Sequence, residues 1–196
     1  MTASTQHVTF YFDPICPFSY KTSLWIREVQ KGRSIEIDWR FLSLQAINEG
    51  TESLKESHSH SIPAFRVMAM ARREGGNESV DALYRSFGRL RHEERKDISE
   101  SDVIEEAVRE AGLDPEIIPR ALADATTLDD LRKDHDQGVE NGAFGVASIE
   151  INGDKRPFFG PVISDVPTGE RAYELWDHFT WLIAQPEFFE IKRERH

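Results

Sequence analysis

Apolar and polar residues alternate in short stretches near the start of the chain and again near residue 150, and between these stretches the apolar positions recur at helical spacing. Residues 7 to 12, His-Val-Thr-Phe-Tyr-Phe, are β-branched and aromatic in the manner of a buried strand. Asp13-Pro14 ends it, and Ser23, Leu24, Trp25, Ile26 and Val29 follow at helical spacing until Lys31-Gly32 stops the helix. Between Ile35 and Leu42, Ile35, Ile37, Trp39 and Phe41 alternate with Glu36, Asp38 and Arg40, which predicts a strand with one covered face. From about Ala46 to Glu140 only helix signals occur. One helix follows Pro63 (Ala64 to Arg73) and ends at Gly75-Gly76-Asn77; another runs from Ser79 through Leu83, Tyr84, Phe87 and Leu90. Ser101 opens a third with Gly112 as its stop, Asp114-Pro115 opens a fourth, and Thr127 with Asp130 opens a fifth. After Gly142-Ala143-Phe144-Gly145 the sheet pattern returns: Val146 to Ile151 alternates, Asn152-Gly153 is a hairpin dipeptide, and Arg156 to Phe159 is the return strand. A last amphipathic helix from about Gly169 carries Ala172, Leu175, Trp176, Phe179 and Ile183.

The order β-α-β, helices, β-β-α predicts one α/β domain, residues 1–45 with 141–196, interrupted by a helical insertion or lid, residues 46–140. At 196 residues and 39% hydrophobic the chain can bury a single good core. A net charge of −11 counts against nucleic acid and anionic membrane surfaces as partners, because both need a basic face. Neither a spanning stretch of about 18 apolar residues nor a secretory leader is expected. The single cysteine cannot form an internal disulfide, which fits a reducing cytoplasm.

That cysteine stands at the first strand-to-helix junction, in Phe12-Asp13-Pro14-Ile15-Cys16-Pro17-Phe18-Ser19-Tyr20. At a helix amino end, unpaired backbone N–H groups and the macrodipole favour an anion and lower a thiol's pKa. Pro17 suits the first helical position, where its missing N–H has no partner to lose. Ser19, three residues on, faces the same side and is placed to donate its hydroxyl to the thiolate. The bland reading, a small buried hydrophobe, is the usual fate of a free cysteine; the Cys-Pro-x-Ser helix start after an apolar strand favours the reactive one.

This segment resembles the active-site segment of the cytoplasmic DsbA-like proteins called mycothiol-dependent nitroreductases, found in actinobacteria, whose pattern is Phe-Asp-Pro-x-Cys-Pro-Trp-Cys-Trp. Ile151-Asn152-Gly153, Phe158-Phe159-Gly160-Pro161-Val162, Leu175-Trp176-Asp177 and Phe188-Phe189-Glu190-Ile191-Lys192-Arg193 match it further, as do Leu83-Tyr84, Gly88, His92 and Leu131-Arg132-Lys133 more weakly. The resemblance implies a thioredoxin fold with a helical insertion. Two departures stand out. Ser19 replaces the family's second cysteine, and a serine cannot resolve a mixed disulfide. Gly145-Val146-Ala147-Ser148-Ile149 falls where the family has Gly-Thr-Pro-Thr-Ile with a cis proline facing the cysteine. Ala147 has no comparable reason to be cis, so a trans Val146–Ala147 peptide is expected.

Among lesser candidates, Tyr84, Gly88 and His92 recur every four residues and share one helical face, which either lines the pocket over Cys16 or is an ordinary packed face. Asp13 is placed to position a proton or to cap the helix. Phe18, Tyr20, Val146, Ala147 and Phe159, with Trp25, are candidates for an apolar substrate wall or plain core. His58-Ser59-His60 lacks a third ligand nearby in sequence and predicts no metal site. Arg89, Arg91, Arg95 and Lys96 read as a solvated face.

Three functions follow. One activated thiol without a resolving partner suits reversible addition to a conjugated alkene, hence cis-trans isomerisation with no net redox and no cofactor. The substrate would be an unsaturated compound, free or carried on a protein; hydroxychromene carboxylate isomerases of the wider DsbA-like superfamily are a related case. The alternative is a monothiol oxidoreductase resolved by external mycothiol. The third is a non-catalytic binding protein. The oligomeric state is not legible.

Overall fold

The computed structural model describes residues 5–50 and 60–194. Its elements run β1 (Gln6–Phe12), α1 (Pro17–Gln30), β2 (Ile35–Phe41), α2 (Leu44–Glu49), α3 (Ile62–His92), α4 (Ser101–Glu110), α5 (Ile117–Ala123), α6 (Thr127–Glu140), β3 (Ser148–Ile151), β4 (Phe158–Phe159) and α7 (Glu170–Ile183). The four strands form one sheet in the order β2-β1-β3-β4, with β1 parallel to β2 and antiparallel to β3, and β3 antiparallel to β4. This is a mixed α/β thioredoxin fold, with five helices among the described residues between β2 and β3.

The alternation in β2 does what it predicts. Ile35, Ile37, Trp39 and Phe41 are buried, while Glu36, Asp38 and Arg40 reach solvent to varying extents. The register sets Phe10 beside Trp39 and Phe12 beside Phe41. On that face Phe65 and Tyr84 of α3 meet the strand aromatics: Tyr84 stacks on Phe12 at 3.9 Å between ring centroids, and Phe65 meets Phe41 edge-on at 5.4 Å. Such aromatic pairs add about 0.5–1.5 kcal/mol each beyond the area they bury. They bind the helical block to the sheet directly behind the β1–α1 turn.

Two sequence expectations shift and one holds. The two helices expected on either side of Gly75-Gly76-Asn77 meet within α3 at a kink at Gly76, whose φ of 71° is cheap for glycine alone. The break turns Asn77 toward the open edge of β2. Its Oδ1 accepts from the Trp39 N–H at 2.9 Å and its Nδ2 donates to the Ile37 carbonyl at 2.7 Å. At the other side, β3 begins at Ser148 rather than Val146, because the Ser148 hydroxyl folds back onto the Gly145 carbonyl at 2.8 Å. The return strand is only Phe158–Phe159, shorter than the expected Arg156 to Phe159. Among the described residues no helix is long and apolar enough to cross a membrane.

Candidate active site

β1 delivers the chain to Asp13-Pro14-Ile15, a turn closed by the Cys16 N–H on the Asp13 carbonyl at 3.1 Å. Cys16 is the N-cap residue of α1, with extended backbone (φ −85°, ψ 115°), and Pro17 is the first helical residue. The Cys16 sulfur accepts from the Ser19 backbone N–H at 3.4 Å. It therefore takes the place of the Ser or Asp oxygen that usually satisfies an N-terminal donor. Opposite it, the Val146 carbonyl stands 3.8 Å from Sγ. The Ser19 N–H and the helix end favour the thiolate; the carbonyl and burial favour the thiol.

The donation expected from the Ser19 hydroxyl is made instead by its backbone. The hydroxyl, fully buried, pairs with the Tyr84 hydroxyl at 2.9 Å. Burial is the main cause that holds the Tyr84 phenol above its ordinary pKa, so it is present as a neutral hydroxyl. The expected face of α3 thus packs directly against the cysteine segment. Gly88, one turn beyond Tyr84, lets the Tyr20 ring approach so closely that any Cβ there would collide with it. His92, a further turn on, stacks on Tyr20 at 5.2 Å and donates from Nε2 to the Pro14 carbonyl at 2.9 Å. Burial lowers the His92 pKa, with the Pro14 contact opposing. Tyr20 itself is buried and donates to Glu93 at 2.7 Å.

Asp13 does not cap α1; Cys16 does. Its buried carboxylate instead joins three segments, accepting from the Ile15 N–H (3.2 Å) and from the Leu44 N–H at the start of α2 (2.9 Å), with a further hydrogen bond from the Ser61 side chain. Burial pushes its pKa up to about 6, against the lowering effect of these bonds. A carboxyl raised above its unfolded value favours the folded state while protonated, so its contribution is full below about pH 4 and is lost as pH rises to about 6. At roughly 1.4 kcal/mol per unit, the loss is about 3 kcal/mol. Denaturant unfolding of the protein from pH 4 to 7 should show this fall, and Asp13→Asn should flatten it while lowering stability at pH 4, because an amide cannot accept on both sides.

The Cys16 sulfur is nearly enclosed. Cys16 keeps 9% exposure, and Tyr11, Leu42, Ala143 and Val146 surround it, with Phe18, Leu44 and Ile47 half-buried at the rim. The reason is that α2 and residues 143–146 close over the helix end, neither of which periodicity could place. Two surface clefts, of about 610 and 400 Å³, lie elsewhere: the first among Arg89, Asp102 and Glu106, the second along Arg40, Lys133 and Glu150, reaching inward only as far as Tyr11. The Val146–Ala147 peptide is cis, contrary to the trans bond expected. The preference of a free chain for trans was the wrong guide, because both residues are buried and the Ala147 carbonyl accepts from the Gly160 N–H at 2.8 Å.

Of the remaining candidates, Phe159 is half-buried against Gly145 and tilts on Phe144 at 5.2 Å; Phe144 is 69% exposed beside the ring around the sulfur. Sequence reasoning passed over Phe144, although Gly-Ala-Phe-Gly signals an aromatic held on a loop. Trp25 is core, donating to the Ala172 carbonyl, and is no part of a substrate wall. His58 and Ser59 lie outside the described residues; His60 pairs with Asp97 at 3.2 Å. The described residues gather no metal-binding group of three or more side chains. Arg89 and Lys96 are tied to Glu94, Glu110 and Glu106 on the surface.

Solved structures share this architecture. A cytosolic disulfide reductase, DsbM, from Pseudomonas aeruginosa with GSH superposes with a TM-score of 0.64 at 13% identity, covering 90% of this chain and 100% of that one. A 2-hydroxychromene-2-carboxylate isomerase gives 0.64 at 15% identity over 90% and 96% of the two chains. A probable DsbA oxidoreductase from Streptomyces coelicolor gives 0.61 at 18% over 96% and 94%. At these identities the likeness is one of fold. In sequence, the chain is 34% identical over 191 residues to an uncharacterized protein of Mycobacterium tuberculosis, Rv2286c, spanning 96% of this chain and 82% of that protein. The model of the Rv2466c-like family, described as mycothiol-dependent nitroreductase, matches residues 15–193. The match begins at the β1–α1 turn and runs nearly to the end of the chain: by sequence and by fold, this DsbA-like thioredoxin-fold protein belongs to the mycothiol-dependent nitroreductase family.

Proposed function

We propose that the protein is a single-cysteine cis-trans isomerase of conjugated, unsaturated substrates. The observation that carries this reading is the side chain at the resolving position: Ser19, fully buried and bonded to Tyr84, offers no second sulfur to a one-thiol cycle. In that cycle the Cys16 thiolate forms a C–S bond to the terminal carbon of the conjugated system, and the displaced π pair moves onto the carbonyl or aromatic group that conjugates with it. The former double bond rotates as a single bond. The pair returns, the C=C bond re-forms in the other geometry, and the C–S bond breaks to release the thiolate. No electrons or protons are gained or lost. Cys16 is the nucleophile, and Ser19 and Tyr84 order its surroundings. Phe18, Val146 and Phe159 supply an apolar wall, with Ala147 behind Val146. Asp13, Tyr20 and His92 fix the turn that carries the sulfur.

Family membership favours a second reading, a monothiol oxidoreductase. There a mixed disulfide at Cys16 would be resolved by a second, external thiol such as mycothiol. The apolar side chains packed with the sulfur, Tyr11, Leu42, Ala143 and Val146, favour an apolar unsaturated chain, free or held on a carrier protein, over a sugar-bearing thiol. A reducing cytoplasm suits either reading, since it keeps a lone thiol free.

The test is turnover of a conjugated polyene ester in buffer stripped of small thiols, reductants and nicotinamide. The expected result is a changed ultraviolet spectrum with unchanged product mass. Turnover only with added mycothiol, or net reduction of the substrate, would establish the oxidoreductase instead.

A further inference from the structure

Behind Cys16, polar side chains continue along one face of α1 where a helix buried on this side would carry apolar ones. Cys16, Ser19, Ser23 and Arg27 follow at spacings of three and four and so lie in line. Ser19 bonds Tyr84, and Tyr84 is hydrogen-bonded to Ser23 as well. Arg27 Nη1 donates to Ser23 Oγ at 2.6 Å, and its Nε donates to Asp81 at 2.8 Å. The guanidinium lies 4.3 Å from the Trp39 ring centre and 5.3 Å from that of Tyr84.

As a purely structural choice this arginine is poor. Its side chain is 9% exposed, it shares a single carboxylate, and its Nη2 is buried with no hydrogen-bond partner among the described residues. A buried cation with an unfilled donor is costly, and a methionine would fill the space without that cost. We propose that Arg27 is a positioning residue for the Cys16 thiolate, acting through Ser23, Tyr84 and Ser19. An arginine can only donate, so Ser23 Oγ accepts from it and gives its own proton to the Tyr20 carbonyl at 2.7 Å, which leaves Ser23 able only to accept from Tyr84. With a cation over its ring, Tyr84 becomes a better donor to Ser23, and its oxygen accepts from the Ser19 hydroxyl. Ser19 is thereby held where its backbone N–H meets the sulfur at 3.4 Å. One fixed end of the chain orders every hydroxyl in it.

This inference rests on Cys16 acting as a thiolate, and is indifferent to the substrate. It is tested on the full-length protein by the pH dependence of Cys16 alkylation with iodoacetamide. The variants are Arg27→Met, Arg27→Lys, Ser23→Ala, Tyr84→Phe and the Arg27→Met/Tyr84→Phe pair, each first shown to be folded by circular dichroism. The other titratable groups at this end, Asp13 after β1, Tyr11 on β1 and His92 on α3, are constant throughout. Arg27→Met, Ser23→Ala and Tyr84→Phe should each raise the apparent thiol pKa by about one unit, roughly tenfold less thiolate at low pH. Arg27→Lys, which keeps a donor-only cation, should hold most of the wild-type value. In the Tyr84→Phe background Arg27→Met should add nothing. An unshifted profile in folded Arg27→Met overturns the proposal, as does a full additional shift in the pair. If Arg27→Met does not fold, an unshifted Ser23→Ala overturns it. A wild-type pKa at or above the free value of about 8.5 would instead remove the thiolate reading itself.

Discussion

Cys16→Ser is expected to lower kcat for isomerisation by roughly a thousandfold or more, because a serine hydroxyl at neutral pH is a far weaker nucleophile than a thiolate. The substitution is nearly isosteric, and a serine oxygen at the N-cap accepts from the Ser19 N–H at least as well as sulfur does. The variant should therefore melt within a few degrees of the wild type, which separates lost chemistry from lost folding. Intact-protein mass spectrometry provides the second measure. Wild-type protein incubated with an enone analogue that adds but eliminates slowly should gain the mass of one adduct, and Cys16→Ser should gain none. Retained turnover in the serine variant would remove covalent catalysis from consideration.

Ser19→Cys has the opposite character, because it adds a function. A thiol there occupies the third helical position, in the Cys-Pro-Phe-Cys spacing that lets an N-terminal pair oxidise to an intramolecular disulfide. Under a mild oxidant the variant should lose the mass of two hydrogens and all alkylatable thiol. Its isomerase turnover should vanish with them and return with dithiothreitol. In reducing conditions it should reduce a model disulfide catalytically, and faster than the wild type does. The loss of the Tyr84 hydrogen bond, worth about 1 kcal/mol net, sets the expected cost in stability. A reduced variant that cannot turn over disulfides would show that the surroundings of Cys16, rather than the missing sulfur, set the chemistry.

Both experiments start from residues legible in the sequence, and the reasons are local. The β1–α1 turn, the proline at the first helical position and the cysteine before it depend on contacts within a few residues, so Cys16 was readable at the amino end of the helix, though the cap itself was looked for in Asp13. The four-residue spacing of Tyr84, Gly88 and His92 identified a shared face; that this face meets the cysteine segment needed the fold. Ser23 and Arg27 carried the same periodic signal from Cys16 onward, yet an arginine on a helix reads as solvated until Trp39 and Tyr84 are seen around it. Asp13 and the Val146–Ala147 peptide were misread for a common cause. Each is set by segments far away in sequence, Leu44 and Ser61 for the carboxylate and Gly160 for the peptide, where local preference carries no information.

The Asn77 amide of α3, set against the outer strand, bears on how these molecules meet one another. An open sheet border offers unpaired N–H and C=O groups on which a strand from another copy can grow. Asn77 occupies both the Trp39 N–H and the Ile37 carbonyl of β2, imitating with one side chain the neighbour that a further strand would be. At the opposite border β4 is two residues long and runs into Gly160-Pro161, where proline has no N–H to offer. Each border of the sheet is thus shortened or partly covered within a single chain, and strand-by-strand stacking on β2 would first have to pull Asn77 away.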